Sequence, residues 1–343
     1  MRKVFAVTAA LALLGLGICA SAAITIDTVA VGDAGNAADT TGYGSVGYNY
    51  NIGKYEVTAG QYTAFLNAVA TTDTYGLYNT FMDTEVYSMG SNIKRSGNAG
   101  NYSYSVASDW ANRPVNWVSY WDSCRFANWL GNGQPTGAQN ASTTERGAYT
   151  LDGCNGNDGR TIQRNAGATW AVTSEDEWYK AAYYEGGNTN AGYWLYPTQS
   201  NATPGRDMAD ASGNNANYWN GGLLVGSPYY RSNVGEFQNS DSAYGTFDQG
   251  GNVWEWNEAI VYEGSDYSYR GLRGGSFADD GLTSGPLRAS YGSHYGGPNG
   301  GNLHFGFRVA YIADGYQPVP EPSSIIALAT GLVGLLGIRR RKA

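Results

Sequence analysis

Apolar positions along this chain recur with two different periods. From Ile24 to Val31, β-branched residues alternate with polar ones, which predicts a strand. Val46 to Tyr55 alternates again, with Val46, Tyr48, Tyr50 and Ile52 on one face. The period then changes. Tyr62, Phe65, Leu66 and Val69 follow at helical spacing behind Thr58, which has Gln61 three residues on, the pairing of a capping box. The same device stands at Ser119 with Asp122, ahead of Trp121, Cys124, Ala127, Asn128 and Leu130, and at Ser174 with Glu177, within Thr173–Ala182. Three helices are therefore expected. Tyr75 to Ser108, rich in Gly, Ser, Asn and Tyr, follows neither period and predicts an ordered excursion with little regular structure.

Both ends depart from this pattern. Met1-Arg2-Lys3, the apolar run Val4–Cys19 and the small residues Ala20-Ser21-Ala22 read as a secretory signal peptide over residues 1–22. At the other end, Pro320-Glu321-Pro322 is followed by Ser323-Ser324, an apolar run from Ile325 to Ile338, and Arg339-Arg340-Arg341-Lys342. That succession resembles the PEP-CTERM sorting signal, which implies an exosortase-type membrane protease as partner and processing near the Pro-Glu-Pro. The apolar run, about 14 residues, falls short of the roughly 17–25 that span a bilayer comfortably. This suits a transient membrane helix, with the basic cluster held on the cytoplasmic side; an ordinary tail anchor is the alternative. Residues 23–314 then form one domain, 315–322 a linker and 323–343 the sorting segment.

Charge narrows the function. Six of the 21 basic residues lie in the tails, leaving 15 against 29 acidic residues. Such a body does not attract nucleic acid or anionic lipid, and suits cations and an extracellular setting. The 49 glycines and 28 tyrosines predict many tight turns and much amphipathic burial. The body holds two cysteines, Cys124 and Cys154. A disulfide closing a loop of about 30 residues, worth roughly 3–4 kcal/mol, is the simplest use of such a pair in an exported protein; two free thiols are the alternative.

Five motifs occur in order: Glu56-Val57-Thr58 with Gln61-Tyr62 and Phe65-Leu66; Pro114-Val115 with Val118-Ser119 and Trp129-Leu130-Gly131; Thr173-Ser174-Glu175-Asp176-Glu177-Trp178; Gly251-Asn252-Val253-Trp254-Glu255-Trp256 followed by Leu272-Arg273-Gly274-Gly275-Ser276-Phe277; and Gly306-Phe307-Arg308-Val309. Together they resemble the formylglycine-generating enzyme, or sulfatase-modifying-factor, family. The resemblance implies a single irregular α+β domain related to the C-type lectin fold. It also implies a copper-binding cysteine pair, which would fall at Asp279 and Ser284. No cysteine follows Cys154, and neither Asp nor Ser supplies the soft thiolate that Cu(I) and this oxidation need, so no copper is expected.

The resemblance further implies a calcium site from the side chains of Asp248 and Glu255 and the carbonyls of Gly251 and Val253, a donor set suited to calcium; turn or helix caps beside buried tryptophans are the alternative. A second site would use Asn217 and the Tyr218 carbonyl, but Gly226 and Ser227 stand where its acid is expected. Arg273, Arg288 and Arg308 match family arginines and are expected to be structural. His294 and His304 could suggest nonhaem iron, but relatives that use histidines carry them in a separate helical domain, and no nucleophile elbow, P-loop or dinucleotide fingerprint is present. The expected function is a calcium-stabilised, non-catalytic binding or structural domain at the cell surface or in the extracellular matrix, meeting polysaccharide or a surface protein. The alternative is an enzyme using the family groove through Asp279, Asp280 and His294.

Overall fold

A computed structural model describes residues 23–279, 284–292 and 294–317. In chain order the strands and helices are β1 (Thr28–Val31), β2 (Tyr50–Gly53), α1 (Ala59–Val69), β3 (Ile93–Ser96), β4 (Ser103–Val106), α2 (Tyr120–Gly131), β5 (Trp170–Val172), α3 (Glu175–Tyr183), β6 (Tyr184–Gly186), β7 (Gly192–Tyr193), β8 (Trp254–Glu263), β9 (Ser268–Arg273), β10 (His294–Gly296), β11 (Phe305–Gly306) and β12 (Val309–Tyr311). This is a single irregular α+β domain, as expected. One sheet runs β1-β2-β12-β5 and a second β10-β9-β8-β11, with two small hairpins, β3-β4 and β6-β7. In the first sheet β12 lies between β2 and β5, Ala310 facing Ile52 on one side and Ala171 on the other. The two ends of the domain thus close one sheet.

The helices begin where the polar signals place them. Thr58, Ser119 and Ser174 each accept from the backbone N–H three residues on, and Gln61, Asp122 and Glu177 each accept from the cap residue's own N–H. Each box satisfies two donors that a helix start leaves open. All of α2 except Gly131 is buried, charged residues included. Arg125 can lie there because Glu145 takes it in two hydrogen bonds, 2.7 and 3.1 Å. Asn128 donates to the carbonyls of Thr144 and Tyr149 and accepts from the Tyr149 N–H. Phe65 of α1, Phe126 and Trp129 of α2 and Phe307 before β12 form a chain of rings 5.2–5.7 Å apart, the centre of the core.

Three expectations change. The strands are shorter than the alternation suggested. Ile24 lies outside β1, and its backbone N–H and carbonyl are paired instead by the Gln134 amide, 2.7 and 2.9 Å. The segment Tyr75–Ser108 holds, as expected, little regular structure, and the change is only that what it holds is a hairpin: β3 and β4 pair in it, Ile93 facing Val106. Its alternation is diluted by Ser and Asn, and a tertiary contact organises it, since Asn67 of α1 both donates to and accepts from the Tyr104 backbone. Third, Cys124 and Cys154 are free thiols, so the expected bridge is absent. Polar ties hold the loop in its place: the Cys154 carbonyl accepts from Arg125 at 2.9 Å and the Gly153 N–H donates to Glu145 at 2.8 Å. No helix of the described residues is long and apolar enough to cross a membrane, and the signal peptide and sorting segment lie outside those residues.

Candidate functional site

Beyond β9 the chain turns on Gly274 and Gly275, both at positive φ. A Cβ on Gly274 would stand 2.6 Å from the Gln249 carbonyl oxygen, so only glycine fits. The turn brings Ser276 and Asp279 back onto the start of β8. Asp279 accepts from Trp254 Nε1 through Oδ1 (2.8 Å) and from the Ser276 N–H through Oδ2 (2.5 Å). Ser276 Oγ lies 2.8 Å from His304 Nδ1, which is 3.9 Å from Asp279 Oδ1. Burial pushes the Asp279 carboxyl up, and the donors from Trp254 and Ser276 pull it part of the way back. The result is a carboxyl and an imidazole side by side, able to hold a proton. It is not a nucleophilic triad, because Ser276 is fully buried and both it and Asp279 approach the same ring nitrogen.

Asp279 and Ser284, the positions expected to replace paired thiols, serve different networks. Asp279 belongs with Trp254, Ser276 and His304, while Ser284 stands against Tyr196, whose hydroxyl accepts from Arg288 at 2.8 Å. Asp280 and the side chain of His294 lie outside the described residues. Arg273 is held by Glu175 and the Tyr291 carbonyl.

The glycine-rich turn ahead of β8 carries the expected calcium ligands. Asp248 is left-handed (φ 60°) and its Oδ2 accepts the Gly235 N–H at 2.6 Å. Gly251 is also left-handed, and a Cβ on it would stand 2.4 Å from the Asn217 carbonyl oxygen; Val253 is fully buried. Glu255 is already committed: Arg308 binds it at 2.6 and 2.7 Å, and Trp178 Nε1 donates to it at 2.7 Å. The residue that sequence reasoning passed over is Glu56. It is 1% exposed, and neither carboxylate oxygen has a hydrogen-bond partner. Burial, then the nearby charges of Asp248 and Glu255, push its pKa up against the pull of Arg308. Burial likewise raises Asp248, to about 6.

These residues fit calcium only in part. An orphaned buried carboxylate beside a second acid fits a hard cation, and Glu56 with Asp248 supplies that pair. Glu255 does not fit, since Arg308 has taken its charge. Among the described residues no three His, Cys, Asp or Glu side chains converge as a metal-binding set. An ion here would therefore complete its shell with carbonyls and water. The sequence signal for Glu56 was present, an acid two residues ahead of a cap and beside buried Val57, but it reads locally as part of a helix start.

At the second expected site Asn217 straps two turns together, its Nδ2 donating to the Tyr230 carbonyl (3.1 Å) and to Asn252 Oδ1 (3.0 Å), with its own Oδ1 unpartnered. Tyr218 donates its hydroxyl to the Pro204 carbonyl. The next turn carries Arg231, fully buried and bonded to the carbonyls of Met89 and Gly90. Burial, helped by the charge of Arg113, lowers its pKa to about 9. A buried cation so close, with no acid at Gly226 or Ser227, works against a second cation.

The profile of the sulfatase-modifying factor enzyme 1-like domain matches residues 34–313, and that of the PEP-CTERM protein-sorting motif matches residues 318–342. Among solved structures the chain is similar to CarF (21% identity, 84% of this chain and 99% of that one, TM-score 0.49). It is also similar to Treponema denticola variable protein 1 (16%, 85% and 97%, TM-score 0.45) and to PvdO from Pseudomonas aeruginosa (19%, 84% and 91%, TM-score 0.40). Among curated proteins no relative matches in sequence.

Proposed function

The chain belongs to the sulfatase-modifying-factor family and carries a signal for export and surface or membrane-associated sorting, and from that premise we propose that it is a non-catalytic member acting as a binding or structural module at the cell surface or in the extracellular matrix. The supporting observation is Asp279. At the position of a catalytic thiol stands a buried carboxylate tied to Trp254 and Ser276, and the companion position, Ser284, is turned to Tyr196. Neither group can bind Cu(I) as a thiolate does or be oxidised and re-reduced as one. The motif at residues 318–342 implies recognition by an exosortase-type sorting system, which would remove or hold the tail after export. Calcium, in this reading, is a structural ion at Glu56 and Asp248 that offsets their buried charge. The purified protein is incubated with a sulfatase-derived cysteine peptide, with and without copper, and the peptide is weighed. We expect no change; an 18 Da loss at the cysteine that depends on this protein refutes the reading.

A further inference from the structure

A cleft of about 360 Å³, lined by neither Asp279 nor Glu56, lies between the start of α2, the turn at Tyr75–Thr80 and the loop at Asn299–Gly301. That size is at the small end of the ~300–1,000 Å³ usual for small-molecule sites.

Trp117 lines one wall. Trp117 is half-buried, with Phe81 at 4.8 Å and Tyr87 at 5.3 Å between ring centroids, and Phe81 is 41% exposed. Phe81 and Tyr87 stand at 49° and 85° to the indole and brace it from outside the cleft, so the flat surface offered to a ligand is that of Trp117 itself. Trp117 is a bulky residue at φ 61°, a conformation that costs energy and persists only where its surroundings enforce it. Here they do: its N–H donates to the Asn302 carbonyl, and Gly301 packs so closely that a Cβ would stand 2.6 Å from the Trp117 carbonyl oxygen. The indole Nε1 is buried and has no partner.

The other walls are polar and short of partners. Asn79 uses its Oδ1 to cap a 3-10 turn at the Phe81 N–H, and within the described residues its Nδ2 donates to nothing. The Asn299 amide makes no hydrogen bond within them either. Asn155 makes one long contact to the Tyr75 carbonyl, 3.4 Å. Asp122 faces the same space while capping α2 through the Ser119 N–H. Burial pushes its carboxyl up to about 7, so near neutrality it both donates and accepts. None of the lining residues is basic, and Arg125, 4.3 Å behind the Tyr75 ring, is matched by Glu145.

We propose that this cleft is a binding subsite for an uncharged saccharide, one ring of which lies on Trp117 while its hydroxyls meet Asn79, Asp122, Asn155 and Asn299. A sugar ring has an apolar C–H face and a rim of groups that donate and accept at once. A flat indole beside amides and one carboxyl complements both. Sulfated or phosphorylated ligands lack a cation to meet them here. The inference rests on the binding reading above and adds the ligand class and the place.

The test is saturation-transfer NMR on the purified full chain with methyl glycosides of glucose, mannose, galactose and N-acetylglucosamine. A sulfated disaccharide and tetramethylammonium serve as charged probes. We expect a signal from at least one neutral glycoside and none from the charged probes. Asn299→Ala should weaken binding about tenfold, the loss of one good hydrogen bond, without moving the melting point, and Trp117→Ala should abolish it. Silence from every neutral glycoside, or a signal from tetramethylammonium lost in Trp117→Ala, overturns the proposal. Binding unchanged in both variants also overturns it, yet leaves a binding module whose site is elsewhere. Formylglycine formation, measured separately, would remove the non-catalytic reading and leave the cleft untouched.

Discussion

Glu177 and Glu56 are both carboxylates buried in this domain, and their fates are opposite. Glu177 accepts two hydrogen bonds from Arg164 (2.7 Å each), one from the Tyr48 hydroxyl and one from the Ser174 N–H. Burial alone would push its pKa up, but Arg164 and these donors hold it below the usual value. Glu56 has the same burial and no donor from any other residue, and its pKa is raised. Burial of a charge is therefore not one condition but two. A paired carboxylate is a structural joint, whereas an unpaired one marks a place where the fold lacks a positive partner.

The largest effect should come from breaking the paired region. Arg164→Met leaves Glu177 buried, and Glu258 half-buried, without their cation, and we expect a loss of about 3–5 kcal/mol in chemical denaturation. A loss below about 1 kcal/mol, the usual worth of an exposed pair, would mean that Glu177 is not the joint its geometry suggests.

The unpaired region is sharpened by calcium. At free calcium one hundred times the dissociation constant, linkage predicts about 2.7 kcal/mol, which for a domain of this size is a few degrees in melting point. Glu56→Gln should reverse the order of stabilities: at least as stable as the native protein in chelator, less stable in calcium. The same melting point for the native protein with calcium and with chelator would remove the ion from the fold.

Acidity separates the paired carboxylate from Asp248, the acid beside Glu56. The Glu177 contribution is present above its unfolded pKa and is lost as pH falls through its lowered folded value. Asp248 runs the other way, because its folded pKa is raised to about 6. In chelator its share of stability is full below about pH 4 and declines as pH rises toward about 6. Calcium and protons then compete for the site, so the calcium-induced melting shift should be full above about pH 6 and fade toward pH 4. A shift independent of pH over that window would place the ion away from Asp248.

The smallest effect concerns the thiols. Denatured, unreduced mature protein should take two alkyl groups, one on Cys124 and one on Cys154, and Cys154→Ser should cost well under the roughly 3 kcal/mol of a bridge. Mass spectrometry showing no alkylation until reduction would restore the disulfide.

The sequence carried what is local. The three capping boxes were legible because each closes within four residues, and of the face Val46, Tyr48, Tyr50 and Ile52 the half that became β2, Tyr50 and Ile52, because a strand shows its period in the chain itself. The family assignment was legible for a related reason: its motifs are short, and their order survives in one dimension. The absence of a usable thiol after Cys154 needed only the letters. What remained hidden depends on distance through space. Nothing near Glu255 in the chain indicates that Arg308, 53 residues on, would claim its charge and leave Glu56 as the unpaired acid. Nothing near Asp279 indicates that Trp254 and His304 would surround it. The hairpin in Tyr75–Ser108 needed Asn67 of α1 to hold Tyr104. Local hydrogen bonding and periodicity are properties of neighbouring residues, so sequence alone determines them. The partner of a buried charge is settled only when chain closure brings distant segments into a medium where an unpaired charge is costly, and that is the work of the tertiary structure.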